Sequence, residues 1–387
     1  MIQGTVVVSP MDGSSYRVYP EPIESPNHTL PLPPADGRTT VNEPADATAS
    51  PFGWHDTNGA IGAEFTTTQG NNVHAYTDTN FDNMPDPGSS PDGGSGLDFL
   101  FPLDLTMAPS TYRPAAVTNL FYWNNFIHDF AYAFGFDEVS GNFQQNNYGN
   151  GGLGADYVLA EAQDGSGTNN ANFATPPDGN RPRMQMFIGT NPTPDVDGDF
   201  DNGVIAHEYA HGISNRFTGG PANTGCLGNQ EQMGEGWSDF YALITTIEPG
   251  DLGTDSRGIG TYLFGQPPNG PGIRPTPYST NMAINTATYD NIKTLSIPHG
   301  VGYVWCGMIW DLLWKMVDVH GNPAGINIAI NLVNEGMRLQ PCSPGFVDGR
   351  NAILAADVAM YGGANRCLLY TSPSPRDRTR SRMPSSA

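Results

Sequence analysis

Apolar residues return at three- and four-residue spacing over Ala115–Phe134, at Val117, Leu120, Phe121, Ile127, Phe130 and Phe134, which predicts a helix facing a core. Pro114 suits its first turn and Gly135 its end. Further helices are expected over residues 203–217, 231–247, Val301–Val319, Ala324–Met337 and Val347–Met360. The span Val301–Val319 is strongly apolar and carries four large aromatics, Tyr303, Trp305, Trp310 and Trp314. Upstream the pattern differs. Short apolar runs (Thr5–Ser9, Tyr16–Tyr19) alternate with Pro, Gly, Asn and Asp clusters, and Ala155–Ala162 and Arg183–Ile188 alternate in part, as strands do. Residues 250–298 follow neither period. The chain therefore reads as β-rich first and helical second, with no internal repeat.

Composition narrows the class. The 387 residues can bury a large core, and 47 Gly and 34 Pro with only 14% charged residues describe a loop-rich globular protein. A formal charge of −22 argues against nucleic-acid or anionic-membrane partners. No run of 18 apolar residues is present, so no spanning helix is expected. Met1–Gly13 lacks the charged start and apolar centre of a signal peptide, so the start of a precursor is expected to be missing. Four cysteines, Cys226, Cys306, Cys342 and Cys367, allow three pairings or buried thiols, and the sequence does not choose. A sequon stands at Asn27. Thr371–Ala387 has four arginines, many Ser and Pro and almost no large apolar residues, and cannot add to a core. It resembles adapter read-through in place of a native last helix.

The candidate chemistry centres on His207-Glu-Tyr-Ala-His211. Two histidines four apart sit about 400° round a helix and share one face. Imidazole is a preferred zinc ligand, and Glu208 between them can touch a water without ligating the metal. A catalytic zinc takes three protein ligands. Glu235, in Met233-Gly-Glu-Gly-Trp-Ser-Asp239, is the best third ligand, because a loop and a return helix fit between it and His211. Asp239 shares its helix face and can accept the free ring N–H of a ligating histidine. Glycines on both sides of Glu235 point to a crowded site. The longer pattern with a third histidine is excluded, since Ser214 and Phe217 stand where it needs Gly and His. Asp78-Thr-Asn80-Phe-Asp82 spaces oxygens by two, as calcium loops and ordinary Asx turns both do. Asp195, Asp197, Asp199 and Asp201 fail as a helix-loop-helix calcium loop, because its sixth position would be Asn202 and its twelfth Glu208. Another calcium site or a helix-capping turn stays open there. His128 and Asp129 on the first long helix are expected to be structural.

The stretches His207–Arg216, Gly219–Asn223 and Gly234–Phe240, with Ser50–Asp56, Asn119–Asp129, Gln163–Gly179 and Asp197–Asn202, together resemble the fungalysin family of secreted zinc metalloendopeptidases, within the thermolysin-like group. The resemblance covers roughly residues 15–368. It implies an α+β fold of two lobes, β-rich over 1–217 and mainly helical over 218–368, with the zinc helix between them and 369–387 as a non-native tail. It implies one catalytic Zn²⁺ on His207, His211 and Glu235, with Glu208 as general base and Asp239 behind a ligand. Asn170 and Ala171 resemble the edge-strand contacts to extended peptide, His299 the histidine that stabilises the oxyanion, and Arg274 the arginine that holds a substrate carbonyl. Asp290 is a candidate to orient His299. The tyrosine that accompanies such a histidine has no clear match; Cys226 falls near its place and Tyr303 is a substitute.

The expectation is a secreted, monomeric zinc endopeptidase acting on proteins and peptides, with an inhibitory propeptide in its precursor and Ca²⁺ as an additional ion. Two alternatives stand beside it. One is an inactive zinc-stabilised interaction domain, which loss of Glu208 or His299 would have favoured. The other is a metal aminopeptidase, for which no acidic signature recognising a free amine is evident.

Overall fold

The computed structural model describes residues 12–26 and 33–370. The expected strand at Thr5–Ser9, the Asn27 sequon and the Thr371–Ala387 tail lie outside the described residues. The fold is α+β, as the pattern predicts.

The first half is built from short strands around one long helix. Strand β1 (Ser15–Val18) pairs antiparallel with β2 (Thr39–Asn42), and parallel with β4 (Asp98–Phe99). A second sheet orders β3 (Val73–Thr77), β5 (Val158–Ala162), β7 (Arg183–Met186) and β6 (Ala171–Ala174) in that sequence. Its first three strands are parallel, and β6 runs antiparallel to β7 at the edge. A two-stranded ribbon of β8 (Ile188–Gly189) and β9 (Val196–Asp197) follows.

Helix α1 (Arg113–Ala133) packs on β1, β3 and β5 and is buried along most of its length. Buried polar groups on it must therefore find partners inside the protein. Asn119 bridges Tyr19 N, the Asp199 carbonyl and Asn202. Asp129 accepts from Ser50 Oγ (2.7 Å), Trp54 Nε1 (2.8 Å) and Asp46 N (3.0 Å), and His128 Nδ1 lies 2.8 Å from it. The structural expectation for His128 and Asp129 holds.

The second half is helical. It comprises α2 (Asn202–Phe217), α3 (Gly234–Thr245), α4 (His299–His320), α5 (Ala324–Leu339), α6 (Phe346–Tyr361) and the short α7 (Arg366–Tyr370). Each helix from α2 to α6 packs on the next in line. One apolar core runs through both halves, from Tyr16, Trp54 and Phe99 to Trp305, Trp310 and Ile330, and α2 lies in the middle of it. Asp201 caps α2 by accepting from Val204 N, and its other oxygen accepts from Leu263 N at 3.1 Å, so the capping turn is the outcome at this aspartate. Cys226 pairs with Cys342, tying the loop after α2 to the loop between α5 and α6, while Cys306 is a buried residue outside the bridge. No helix among the described residues is long and apolar enough to cross a membrane.

Candidate metal centre and cleft

Helix α2 reaches the centre of the fold because its neighbours leave room for its backbone. At Gly212 a Cβ would stand 2.6 Å from the Phe143 ring and 2.8 Å from that of Phe173 on β6. Side chains of this size at 212 would push α2 off the sheet. The next helix is seated by a second glycine contact. A Cβ at Gly236 would lie 2.4 Å from the Gly302 carbonyl oxygen, and one at Gly302 would lie 2.4 Å from Glu235 Cβ. Helices α3 and α4 thus meet backbone to backbone beside Glu235, which is the expected crowding at Gly236, whereas a Cβ at Gly234 would meet nothing closer than Leu227 at 3.9 Å.

This packing brings three donor groups together. His207 Nε2 and His211 Nε2 are 3.1 Å apart. Glu235 places Oε2 at 3.3 Å from His207 Nε2 and Oε1 at 3.8 Å from His211 Nε2. Tetrahedral zinc with bonds near 2.0–2.1 Å separates neighbouring ligand atoms by roughly 3.3 Å. The observed edges bracket that value, and two nitrogens with one carboxylate form a zinc-type donor set, so the residues fit the ion. Behind them, Asp239 Oδ1 lies 2.8 Å from His207 Nδ1. Arg274 clamps the same carboxylate, Nε to Oδ2 at 2.6 Å and Nη2 to Oδ1 at 2.8 Å, and also reaches Glu235 Oε2 at 3.0 Å. Tyr278 donates its hydroxyl to Asp239 Oδ2.

The electrostatics follow from burial and charge. Burial opposes a charged His207, but Asp239 and Glu235 outweigh it and lift its pKa to about 10. Burial, reinforced by the His207 charge, drives His211 down to about 4. Burial raises Glu208 to about 7 against the opposing pull of His207. Burial alone would raise Asp239, yet Arg274 and His207 hold it at about 2.

A cleft of about 340 Å³ opens over these groups, lined among others by Glu208, His211, Glu235, His299, Asn170 and Ala171. His299 begins α4, is 63% exposed and places Nε2 3.5 Å from Glu235 Oε1. Asn170 precedes edge strand β6 and Ala171 starts it, and Asn169 pins the turn by accepting from Thr190 N at 2.8 Å and Asn191 N at 3.2 Å.

A family model for fungalysin metallopeptidases (M36) matches residues 15–377. This chain belongs to the fungalysin family. It is 41% identical over 391 residues to the extracellular metalloproteinase mep of Aspergillus fumigatus, a match covering 96% of this chain and 59% of the relative. Extracellular metalloproteinase 2 of Trichophyton tonsurans is 40% identical over 387 residues, and extracellular metalloproteinase MEP of Pyricularia oryzae 41%, with the same shares covered. The chain thus spans 59% of the length of these curated relatives.

In this fungalysin chain all nine expected residues, His207, Glu208, His211, Glu235, Asp239, Asn170, Ala171, Arg274 and His299, fall in or directly behind one cleft. Arg274 stands apart in its orientation, since two of its nitrogens are engaged by Asp239 and Glu235 beneath the cleft. Tyr303 is buried and its hydroxyl bonds Thr276 and Asn285, so it does not line the cleft, and Cys226 is used by the disulfide. Asp290 is paired with Lys293 at 2.9 Å. Sequence reasoning missed Asn172, Phe173, Asn215 and Ile273 in the lining and Tyr278 behind it. Asn172, Phe173 and Asn215 lie within the stretches that carry the resemblance and Ile273 stands beside Arg274, while Tyr278 carried no signal.

The calcium expectation finds a turn at its first candidate. Asp78 accepts from Asp82 N and Asn83 N. Asp78, Glu161 and Asp164 come within ligand-sharing distance of one another, but protein donors already serve them: Tyr76 and Gln185 on Glu161, and Gln185 and Ser166 on Asp164.

Proposed function

We propose that this chain is the catalytic unit of a zinc endopeptidase that cuts internal peptide bonds of proteins. The observation that carries the reading is the meeting of His207, His211 and Glu235 beside Glu208, in a cleft whose rim is the free edge of a sheet. His207, His211 and Glu235 would hold the zinc, which supplies Lewis acidity toward a water molecule and a peptide carbonyl.

The remaining steps belong to the chain. Strand β6 pairs with β7 on one side only, so its other side can add an extended peptide through main-chain bonds, tolerant of sequence. Asn170 and Ala171 take that role at the entry of the strand. Glu208 accepts a proton from the attacking water at its carboxylate and returns it to the leaving amine. His299, exposed at the cleft, donates a ring N–H toward the oxyanion, a contribution of about 3 kcal/mol for one well-placed donor. Arg274 orders Asp239 and Glu235 from beneath the cleft, and its role toward a substrate carbonyl rests on the family resemblance. The two lobes divide near 217/218, where α2 ends.

The relatives' names, extracellular metalloproteinases, support secretion, and their greater length leaves room for an inhibitory propeptide. The experiment is product analysis on an N-acetylated peptide with and without a chelator. The reading predicts internal cuts that stop on chelation and return with zinc. An uncut acetylated peptide beside a trimmed free-amine peptide would show an aminopeptidase, and no cleavage of either would favour an inactive zinc-stabilised domain.

A further inference from the structure

We propose that Tyr278 is a positioning residue for the metal centre: its hydroxyl fixes the rotation of the Asp239 carboxylate, and through that carboxylate the ring of His207. The inference rests on the zinc reading above and assigns a role to a residue that no motif singles out.

An ionised carboxylate offers about four acceptor sites. On Asp239 four donors converge. Oδ1 faces His207 Nδ1 at 2.8 Å and Arg274 Nη2 at 2.8 Å. Oδ2 takes Arg274 Nε at 2.6 Å and the Tyr278 hydroxyl. Asp239 and Tyr278 are both fully buried, so water does not replace a donor that leaves. Without the tyrosine the carboxylate keeps three donors, two of them on one rigid guanidinium. It can then turn with that group, and Oδ1 drifts from the histidine nitrogen it must face. The contact it governs is short, 2.8 Å, so a small rotation matters.

The hydroxyl comes from a fixed frame. Tyr278 exchanges both backbone hydrogen bonds with Arg257, N to O at 2.7 Å and O to N at 2.9 Å. Its ring lies 5.5 Å from that of Tyr303 on α4, the helix that also carries His299. The five residues from Arg274 to Tyr278 thus deliver three donors to one carboxylate from an otherwise irregular stretch. Arg274 is a poor probe of this arrangement, because removing it also takes a donor from Glu235. Tyr278→Phe removes one oxygen and keeps the ring packing.

The test measures zinc affinity by competition with a chelator, and the melting temperature of the zinc-free protein, for wild type, Tyr278→Phe, Asp239→Asn and the double variant. Tyr303→Phe, which removes a hydroxyl from the neighbouring Thr276 and Asn285 contacts, is the control. Partners behind a metal ligand typically change affinity 10–100-fold. Tyr278→Phe is expected at the low end, about tenfold weaker, with no further loss once Asp239 is Asn, and Tyr303→Phe is expected to bind zinc as wild type does. Zinc affinity of Tyr278→Phe within twofold of wild type overturns the inference, as does an equal loss in the Asp239→Asn background. A melting temperature below that of the Tyr303→Phe control makes the role structural and also overturns it. A wild type that takes up no zinc overturns the site reading and this inference with it.

Discussion

The contact between Gly236 and Gly302 makes a sharp prediction, because Gly234 two residues earlier provides its own control. Alanine is a better helix former than glycine by about 1 kcal/mol. At Gly234 an added Cβ would meet nothing closer than Leu227 at 3.9 Å, so Gly234→Ala should be neutral or stabilising by up to about 1 kcal/mol. At Gly236 the same atom would lie 2.4 Å from the Gly302 carbonyl oxygen and 3.0 Å from Cys306 N, all on backbone. Ordinary contact needs roughly another ångström, which only a parting of α3 and α4 can supply. Overpacking of this kind costs about 1–3 kcal/mol, against which the propensity gain offsets at most about 1. Glu235 is the adjacent residue and moves with α3, so zinc affinity should fall along with stability. Urea unfolding of zinc-free protein gives the first quantity, and chelator competition gives the second. The reasoning is refuted if Gly236→Ala unfolds at the same urea concentration as Gly234→Ala and holds zinc equally well.

Two further outcomes follow from the fold. The Cys226–Cys342 bridge closes a sequence separation of 116 residues. Replacing both cysteines by Ser should lower the unfolding free energy by about 4–5 kcal/mol on the chain-entropy account, and an unchanged urea midpoint would contradict it. His55 is buried neutral, accepting from the Tyr16 hydroxyl at 2.7 Å with Nδ1 3.2 Å from the Gln69 carbonyl, and burial lowers its pKa to about 4. The unfolded chain, with His near 6.5, then binds the extra proton between these values. Stability contributed here is full above about 6.5 and lost as pH falls toward 4, by roughly 3 kcal/mol. Denaturant midpoints of wild type and His55→Asn across pH 4–7 should converge toward acid; parallel curves would refute the assignment.

Much of the site was legible because its chemistry lies on regular elements. A helix fixes which residues share a face, so His207, Glu208 and His211 could be placed before any coordinates, and residues 203–217 differ from the observed Asn202–Phe217 by one position. The glycines flanking Glu235 pointed to crowding, which holds at Gly236 and not at Gly234, and its partner stayed hidden because Gly302 is 66 residues from Gly236 and a close approach leaves no trace in local sequence. The stretch 250–298 was read as irregular and is so, apart from isolated bridges and one short 3₁₀ turn. That is why Tyr278 is invisible in the sequence and why the grip of Arg274 on Asp239 and Glu235 is too; its expected contact with substrate comes from the family resemblance. Its direction is set by two buried carboxylates supplied from α3, a fact of packing. Strand ends were blurred for the same reason: Ala155–Ala162 was expected where β5 begins at Val158, since residue 155 takes a left-handed turn that the apolar pattern does not reveal.

In the proposed mechanism Glu208 moves the proton while His207, His211 and Glu235 hold zinc. Casein cleavage by Glu208→Gln, measured on protein with its zinc content determined, tests it most directly. The account predicts one zinc per chain, wild-type folding and cleavage reduced by at least about a hundredfold. A folded, zinc-loaded Glu208→Gln protein that cuts casein at the wild-type rate would contradict it.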